Sequence, residues 1–180
     1  MSVASQRRLM SGPSTPADDA VERRLGRRLH DRDETIAVAE SLTGGLVGSL
    51  LTDVPGASDY VDRSVVAYSN DAKVDALGVT RESLDTHGAV SAAVAREMAR
   101  GVRDDAGTTW GVSTTGIAGP GGGTEQKPVG LVFVGVAYAA PWGTGDSFAR
   151  AERRVLDGDR WTVKAESARW ALRAVDDALD

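Results

Sequence analysis

Thr35 to Gly45 reads TIAVAESLTGG. The apolar, β-favouring run from Thr35 to Ala39 predicts a strand, and Leu46 to Leu51 after the Gly44-Gly45 pair predicts a helix. Glu40, Ser41 and Thr43 therefore fall at a strand-to-helix junction, where backbone N–H groups converge without intrahelical partners. Such a junction suits an anion or an oxyanion. Two readings of Ser41 and Thr43 stand on this stretch alone: they cap the helix, as these residue types often do, or they line a site.

The wider composition narrows the chemistry. The chain has 180 residues, 41% of them hydrophobic, which suffices for one domain with a real core. It has no cysteine and only two histidines, His30 and His87, so thiol nucleophiles, disulfides and cysteine or histidine-rich metal sites drop out. Any nucleophile must be oxygen or nitrogen. The formal charge of −5 argues against a general affinity for nucleic acid. No apolar run nears the roughly 20 residues that cross a bilayer, and the N-terminus lacks a secretory core, so no membrane partner and a cytoplasmic location are expected.

Outward from residues 35–45, residues 1–19 lack apolar periodicity and read as a mobile tail, leaving 20–180 as the folded domain. Val21, Leu25 and Leu29 recur every four residues, predicting a helix over 20–30 with its arginines on a solvated face. Ser64 to Tyr68 reads as a second strand, and Ser69-Asn70-Asp71 caps a helix that Gly78 ends. Thr80 to Leu84 reads as a short helical turn, which leaves His87 a surface residue in a loop. Ser91 caps an amphipathic helix carrying Val94, Met98 and Val102. Thr109 to Thr114 is a third strand, followed by the glycine-rich run 116–123. Val129 to Ala139 and Ser147 to Leu156 form a hairpin, and a last helix runs from Asp159 to Leu179, its apolar face a place for a subunit interface. Trp110, Trp142, Trp161 and Trp170 read as core, rim or interface residues. Helices interspersed with strands, the last two paired antiparallel, predict a three-layer α/β/α domain around a central mixed sheet.

In open α/β sheets ligands bind beyond the carboxyl ends of strands. Three polar clusters follow three predicted strands: residues 41–45, 68–70 and 114–116. Without a thiol or a nearby histidine, a serine nucleophile needs another base, and lysine is the known substitute. Lys73 is the natural choice, though a solvent-facing lysine is the plainer reading. To serve, its pKa must fall from about 10.4 to about 7–8, a cost on the order of 4 kcal/mol that demands burial or a neighbouring cation. Tyr68 could relay a proton or simply end a strand with its hydroxyl in water, and Glu40 is either a partner of the site or a helix cap.

AESLTGG (39–45), VAYSNDAKVDALGV (66–79), HGAVS (87–91), TTGIAGPGGG (114–123) and KPVGLVFVGVA (127–137) together resemble the CinA C-terminal domain family, in the same order over residues 21–179. That family includes the nicotinamide-nucleotide amidases. The resemblance implies an α/β/α domain that hydrolyses the carboxamide of nicotinamide mononucleotide to nicotinate mononucleotide and ammonia through a Ser/Lys dyad, with no metal and no cofactor. By motif, Ser41 would be the nucleophile and Lys73 the base, with Tyr68 assisting and Thr115 positioning substrate or dyad. The family's glycine-aspartate-arginine segment is Gly158-Asp159-Arg160 here, making Arg160 the cation for the substrate. Backbone N–H groups of Thr43, Gly44 and Gly45 are the expected oxyanion donors, and Asn70, Gly116, Gly119 and Gly121 complete the expected binding set.

Two departures bear on this transfer. Lys164 stands where the family often has a second arginine, and the two grip phosphate differently. The N-terminal molybdopterin-type domain of full-length CinA proteins has no counterpart in residues 1–180, so its pyrophosphatase activity is not expected. The implied partner is a small-molecule nucleotide, with a homo-oligomer expected. The other reading is a non-catalytic nucleotide- or partner-binding protein of the same fold. A phosphate-binding module of the G-x-x-x-x-G-K-[ST] type is excluded, because that motif is absent.

Overall fold

The computed structural model describes residues 20–180; the expected tail over residues 1–19 lies outside them. Helix α1 (Val21–Asp31) leads into β1 (Ile36–Glu40) and α2 (Leu46–Thr52). Next come β2 (Val61–Val66), α3 (Asn70–Leu77), α4 (Arg81–His87) and α5 (Ala92–Ala106). Strand β3 (Trp110–Gly116), the hairpin β4 (Leu131–Tyr138) and β5 (Phe148–Val155), and α6 (Arg160–Asp176) complete the chain. The sheet order is β2-β1-β3-β4-β5, with β2, β1 and β3 parallel and β4 and β5 antiparallel. It is a mixed sheet between two helical layers.

Alternation along the strands assigns the layers. Ile36 and Val38 of β1 and Trp110 and Val112 of β3 join one core with Val47, Leu51, Val163 and Trp170 under α1, α2 and α6. Ala37 and Ala39 face the opposite core, with Leu77, Val94, Met98 and Val102 from α3 and α5. On that second face the sheet carries small residues because α5 lies almost on its backbone. A Cβ on Gly111 would meet the Ala99 carbonyl oxygen at 2.1 Å, and one on Gly135 the Ala95 oxygen at 2.3 Å.

Several boundaries differ from the sequence expectation. β2 starts at Val61 and stops at Val66, so Tyr68 stands beyond the strand. Helix α4 makes two turns rather than one, placing His87 at its end instead of in a loop. The arginines of α1 are not all solvated: Arg24 and Arg28 grip the buried Asp176 carboxylate, at 2.6 and 2.9 Å. Nor is the apolar face of α6 free for a second subunit, because Val163, Trp170, Leu172 and Val175 are spent in the core. Trp110 and Trp170 are core residues, whereas Trp142 and Trp161 are exposed.

Tyr60, 3% exposed, sits against α1 where Gly26 lacks a side chain; a Cβ there would be 2.5 Å from the phenolic oxygen. That hydroxyl has no hydrogen-bond partner, and burial raises its pKa. An unpaired buried hydroxyl costs about 1–3 kcal/mol. Tyr60→Phe is therefore expected to match or exceed wild-type stability by about 1 kcal/mol in urea unfolding; a clear loss would mean that the hydroxyl has a partner in solution.

Candidate active site

Strand order reverses between β1 and β3: the chain leaves β1 toward β2 and returns across it to β3. At such a switch point the loops part and leave a crevice. Here it is a cavity of about 270 Å³ lined by Ser41, Leu42, Tyr68, Lys73, Ala89, Val90, residues 115–119, Gly121, Gly122 and Arg160. A larger groove of about 850 Å³ runs between α2, residues 54–58 and the outer edge of β2, and the Ser64 hydroxyl in its lining is bonded to the buried Glu40 carboxylate at 2.9 Å.

Lys73 decides the character of the smaller cavity. It comes from the first turn of α3, whose N-cap Ser69 accepts the Ala72 N–H at 3.1 Å. The side chain is 1% exposed, and its Nζ donates to the Ala67 and Tyr68 carbonyl oxygens at 2.9 and 3.0 Å. Its third contact is Ser41 Oγ at 3.2 Å. Burial lowers the Lys73 pKa, because desolvation disfavours the ammonium form. A neutral amine has two hydrogens and one lone pair. With both hydrogens on carbonyls, the lone pair faces Ser41, which can then donate its proton to nitrogen.

Ser41 is itself fixed, its N–H bonded to the Thr114 carbonyl at 3.0 Å. Parity along β1 sends Glu40 to the α2 face and Ser41 to the Lys73 face. Thr115, next to Thr114 on β3, donates its hydroxyl to the Ala89 oxygen at 2.8 Å and so holds the 88–90 segment over the cavity. Lys127, just after the glycine-rich run, donates to the His87 carbonyl oxygen at 2.7 Å and ties that stretch to the end of α4. Arg160 Nη1 donates to the Gly119 oxygen at 2.7 Å, leaving the other N–H groups of this exposed side chain at the mouth. Asp159 caps α6 through the Thr162 N–H at 2.8 Å, and these hydrogen bonds hold its carboxyl below the ordinary range.

Eight of the expected residues thus share one cavity: Ser41, Lys73, Tyr68, Thr115, Gly116, Gly119, Gly121 and Arg160. Four do not. Asn70 is exposed in the first turn of α3, away from the lining. Thr43 neither caps α2 nor lines the cavity; it is buried, its hydroxyl 2.7 Å from that of Thr114. Gly44 is exposed in the left-handed region at φ 62°, beside Lys164 rather than in the cavity. Gly45 borders the larger groove, and its N–H is taken by Glu40 Oε2 at 2.9 Å. The α2 N-terminus is thus already supplied with a carboxylate and is not an open anion site. Leu42, Ala89 and Val90 also line the cavity, a role that apolar residues do not signal in a sequence.

Among the described residues, no three His, Asp or Glu side chains gather in a way that could hold a metal ion, and no helix is long and apolar enough to cross a membrane. The family model for the CinA C-terminal domain matches residues 18–179. The chain belongs to the CinA C-terminal domain family. A CinA-like protein of Salinibacter ruber is 60% identical over 123 residues, 68% of this chain and 30% of that protein. One of Chloroherpeton thalassium is 47% identical over 163 residues, 91% of this chain and 38% of its own length. The chain spans about a third of the curated CinA relatives it matches. Among solved structures, the competence/damage inducible protein CihA of Agrobacterium tumefaciens is similar at TM-score 0.77 and 39% identity, covering 89% of this chain and 95% of that one. A CinA superfamily protein of Enterobacter cloacae aligns at TM-score 0.83 and 26% identity, covering 98% and 100%. The three-layer fold with a mixed sheet is thus that of the CinA superfamily.

Proposed function

We propose that this CinA domain is an amidohydrolase that converts nicotinamide mononucleotide to nicotinate mononucleotide and ammonia, a reaction of pyridine-nucleotide salvage. The observation that carries the reading is the buried Lys73 amine, held by two carbonyls with its third position on Ser41 Oγ at 3.2 Å. A binding module has no use for that arrangement, since burying an amine without a carboxylate partner costs stability.

In the proposed reaction Ser41 Oγ attacks the carboxamide carbon while Lys73 takes the hydroxyl proton. The tetrahedral intermediate expels ammonia, to whose nitrogen Lys73 returns the proton, leaving an ester on Ser41. Water, deprotonated by Lys73, attacks that ester; the bond to Ser41 Oγ breaks, Lys73 returns the proton to that oxygen, and the carboxylate is released. An amide is a poor electrophile, so backbone donors on the forming oxyanion count, each for about 10²–10³ in rate. Gly45 is excluded from that task by its bond to Glu40. Leu42 follows the nucleophile in sequence and lines the cavity, so its N–H is the better choice.

Tyr68 is 66% exposed at the rim, which suits a contact with bound substrate more than proton relay inside the cavity. Arg160 at the mouth would meet the phosphate. Arg160→Ala is expected to raise KM about tenfold or more while kcat stays within a few-fold, the pattern of lost ground-state binding. The function itself is tested by following ammonia release from nicotinamide mononucleotide by the purified protein. No release across pH and salt would refute it. Cytoplasmic location and self-assembly remain part of the proposal, the latter without support from α6.

A further inference from the structure

Glu40 is 0% exposed, yet none of its hydrogen-bond partners is a cation. One carboxylate oxygen accepts the N–H groups of Gly45 and Val47 at 2.9 and 3.1 Å. The other accepts the Gly48 N–H and the Ser64 hydroxyl, both at 2.9 Å. A single side chain thus closes the loop that carries Ser41, joining the end of β1 to the first turn of α2 and to β2. Gly48 makes the closure possible, because a Cβ there would come within 2.6 Å of Ser64.

We infer that Glu40 is a positioning residue that sets Ser41 against Lys73. Glu40 and Ser41 are adjacent and leave the strand on opposite faces. Anchoring the first side chain at four points fixes the backbone from which the second departs. Lys73 is held separately by the Ala67 and Tyr68 carbonyls. The two halves of the dyad are therefore located by different scaffolds, and Glu40 sets the serine half. A helix cap would need only one or two of these bonds; the bond to Ser64 on β2 fixes the loop against the sheet as well. This inference deepens the amidase reading and rests on it for its kinetic consequence.

The test compares Glu40→Gln and Ser64→Ala with wild type. The glutamine keeps the shape but turns an NH₂ group toward N–H or O–H donors, whereas Ser64→Ala removes one bond and leaves the carboxylate. Per folded molecule, Glu40→Gln is expected to lower kcat on nicotinamide mononucleotide about 30-fold or more, with KM within about threefold, and Ser64→Ala to lower kcat about threefold to tenfold. The pH midpoint of the rising limb should stay at its wild-type position, since Lys73 keeps its own contacts. Amide exchange at Gly45, Val47 and Gly48 should speed up about tenfold or more in Glu40→Gln. Unchanged kcat per folded molecule, even with a lower melting temperature, overturns the inference, as does a shifted pH midpoint that accounts for the loss. If Glu40→Gln does not fold, Ser64→Ala decides by the same readings. If wild type releases no ammonia, the amidase reading fails, and the exchange rates alone decide whether Glu40 holds the loop; equal rates overturn it.

Discussion

Ser41→Ala is expected to lower turnover of nicotinamide mononucleotide about 10⁴-fold or more, the scale seen when a hydrolase loses its nucleophile. The substitution removes one oxygen from a cavity whose backbone is held independently. The Ser41 N–H stays on the Thr114 carbonyl, and Glu40 still ties residues 45–48. The fold and the mouth at Arg160 should survive, so nucleotide binding by calorimetry should stay within about threefold of wild type while ammonia release disappears. Retention of more than a few per cent of wild-type turnover would mean that water, not Ser41, attacks the carboxamide.

Lys73→Met should cost about 10³–10⁴ in turnover, because the serine loses its proton acceptor while the cavity keeps its volume. Its pH behaviour separates this from a packing effect. Burial holds the Lys73 pKa below its ordinary value of 10.5, and only the neutral amine accepts a proton. Wild-type turnover should therefore rise with pH through the depressed value and level off before 10.5. Stability carries the same signature. In the unfolded chain the amine keeps its proton to about 10.4, whereas the folded state releases it earlier. Between the two values the unfolded state binds more protons, so folded stability rises with pH. Below the folded value both states are protonated, and the burial cost of the ammonium is borne in full. Urea unfolding from pH 7 to 10 should show wild type gaining on Lys73→Met by at most about 1.4 kcal/mol per pH unit. A constant difference would place Lys73 at an ordinary pKa.

Much of the site was legible because its signals are local. A strand ending in Glu-Ser and a helix begun by Ser69 and carrying Lys73 follow from periodicity and capping chemistry. Asp159, the expected start of the last helix, is the N-cap of α6. Errors arose where a local rule met a distant partner. The α2 N-terminus looks like an open anion site, but Glu40, five to eight residues away, fills it. Thr43 has the chemistry of a cap, yet Thr114 on the neighbouring strand takes its hydroxyl. The arginines of α1 look solvated until Asp176, nearly 150 residues on, is folded beside them.

The sequence by itself determined the layered α/β class and the exclusion of thiol chemistry, since residue type and period need no partner, and its family resemblance named Ser41, Lys73, Thr115 and Arg160 as candidates. Only the tertiary structure decided that Lys73 is buried with its third contact on Ser41, and that Glu40 stitches the loop beneath it. Only it removed residues 43–45 and Asn70 from the cavity. The physical reason is that a side chain's charge state and direction depend on which strand or helix lies against it. That is a long-range outcome of packing, and no single stretch of the chain encodes it.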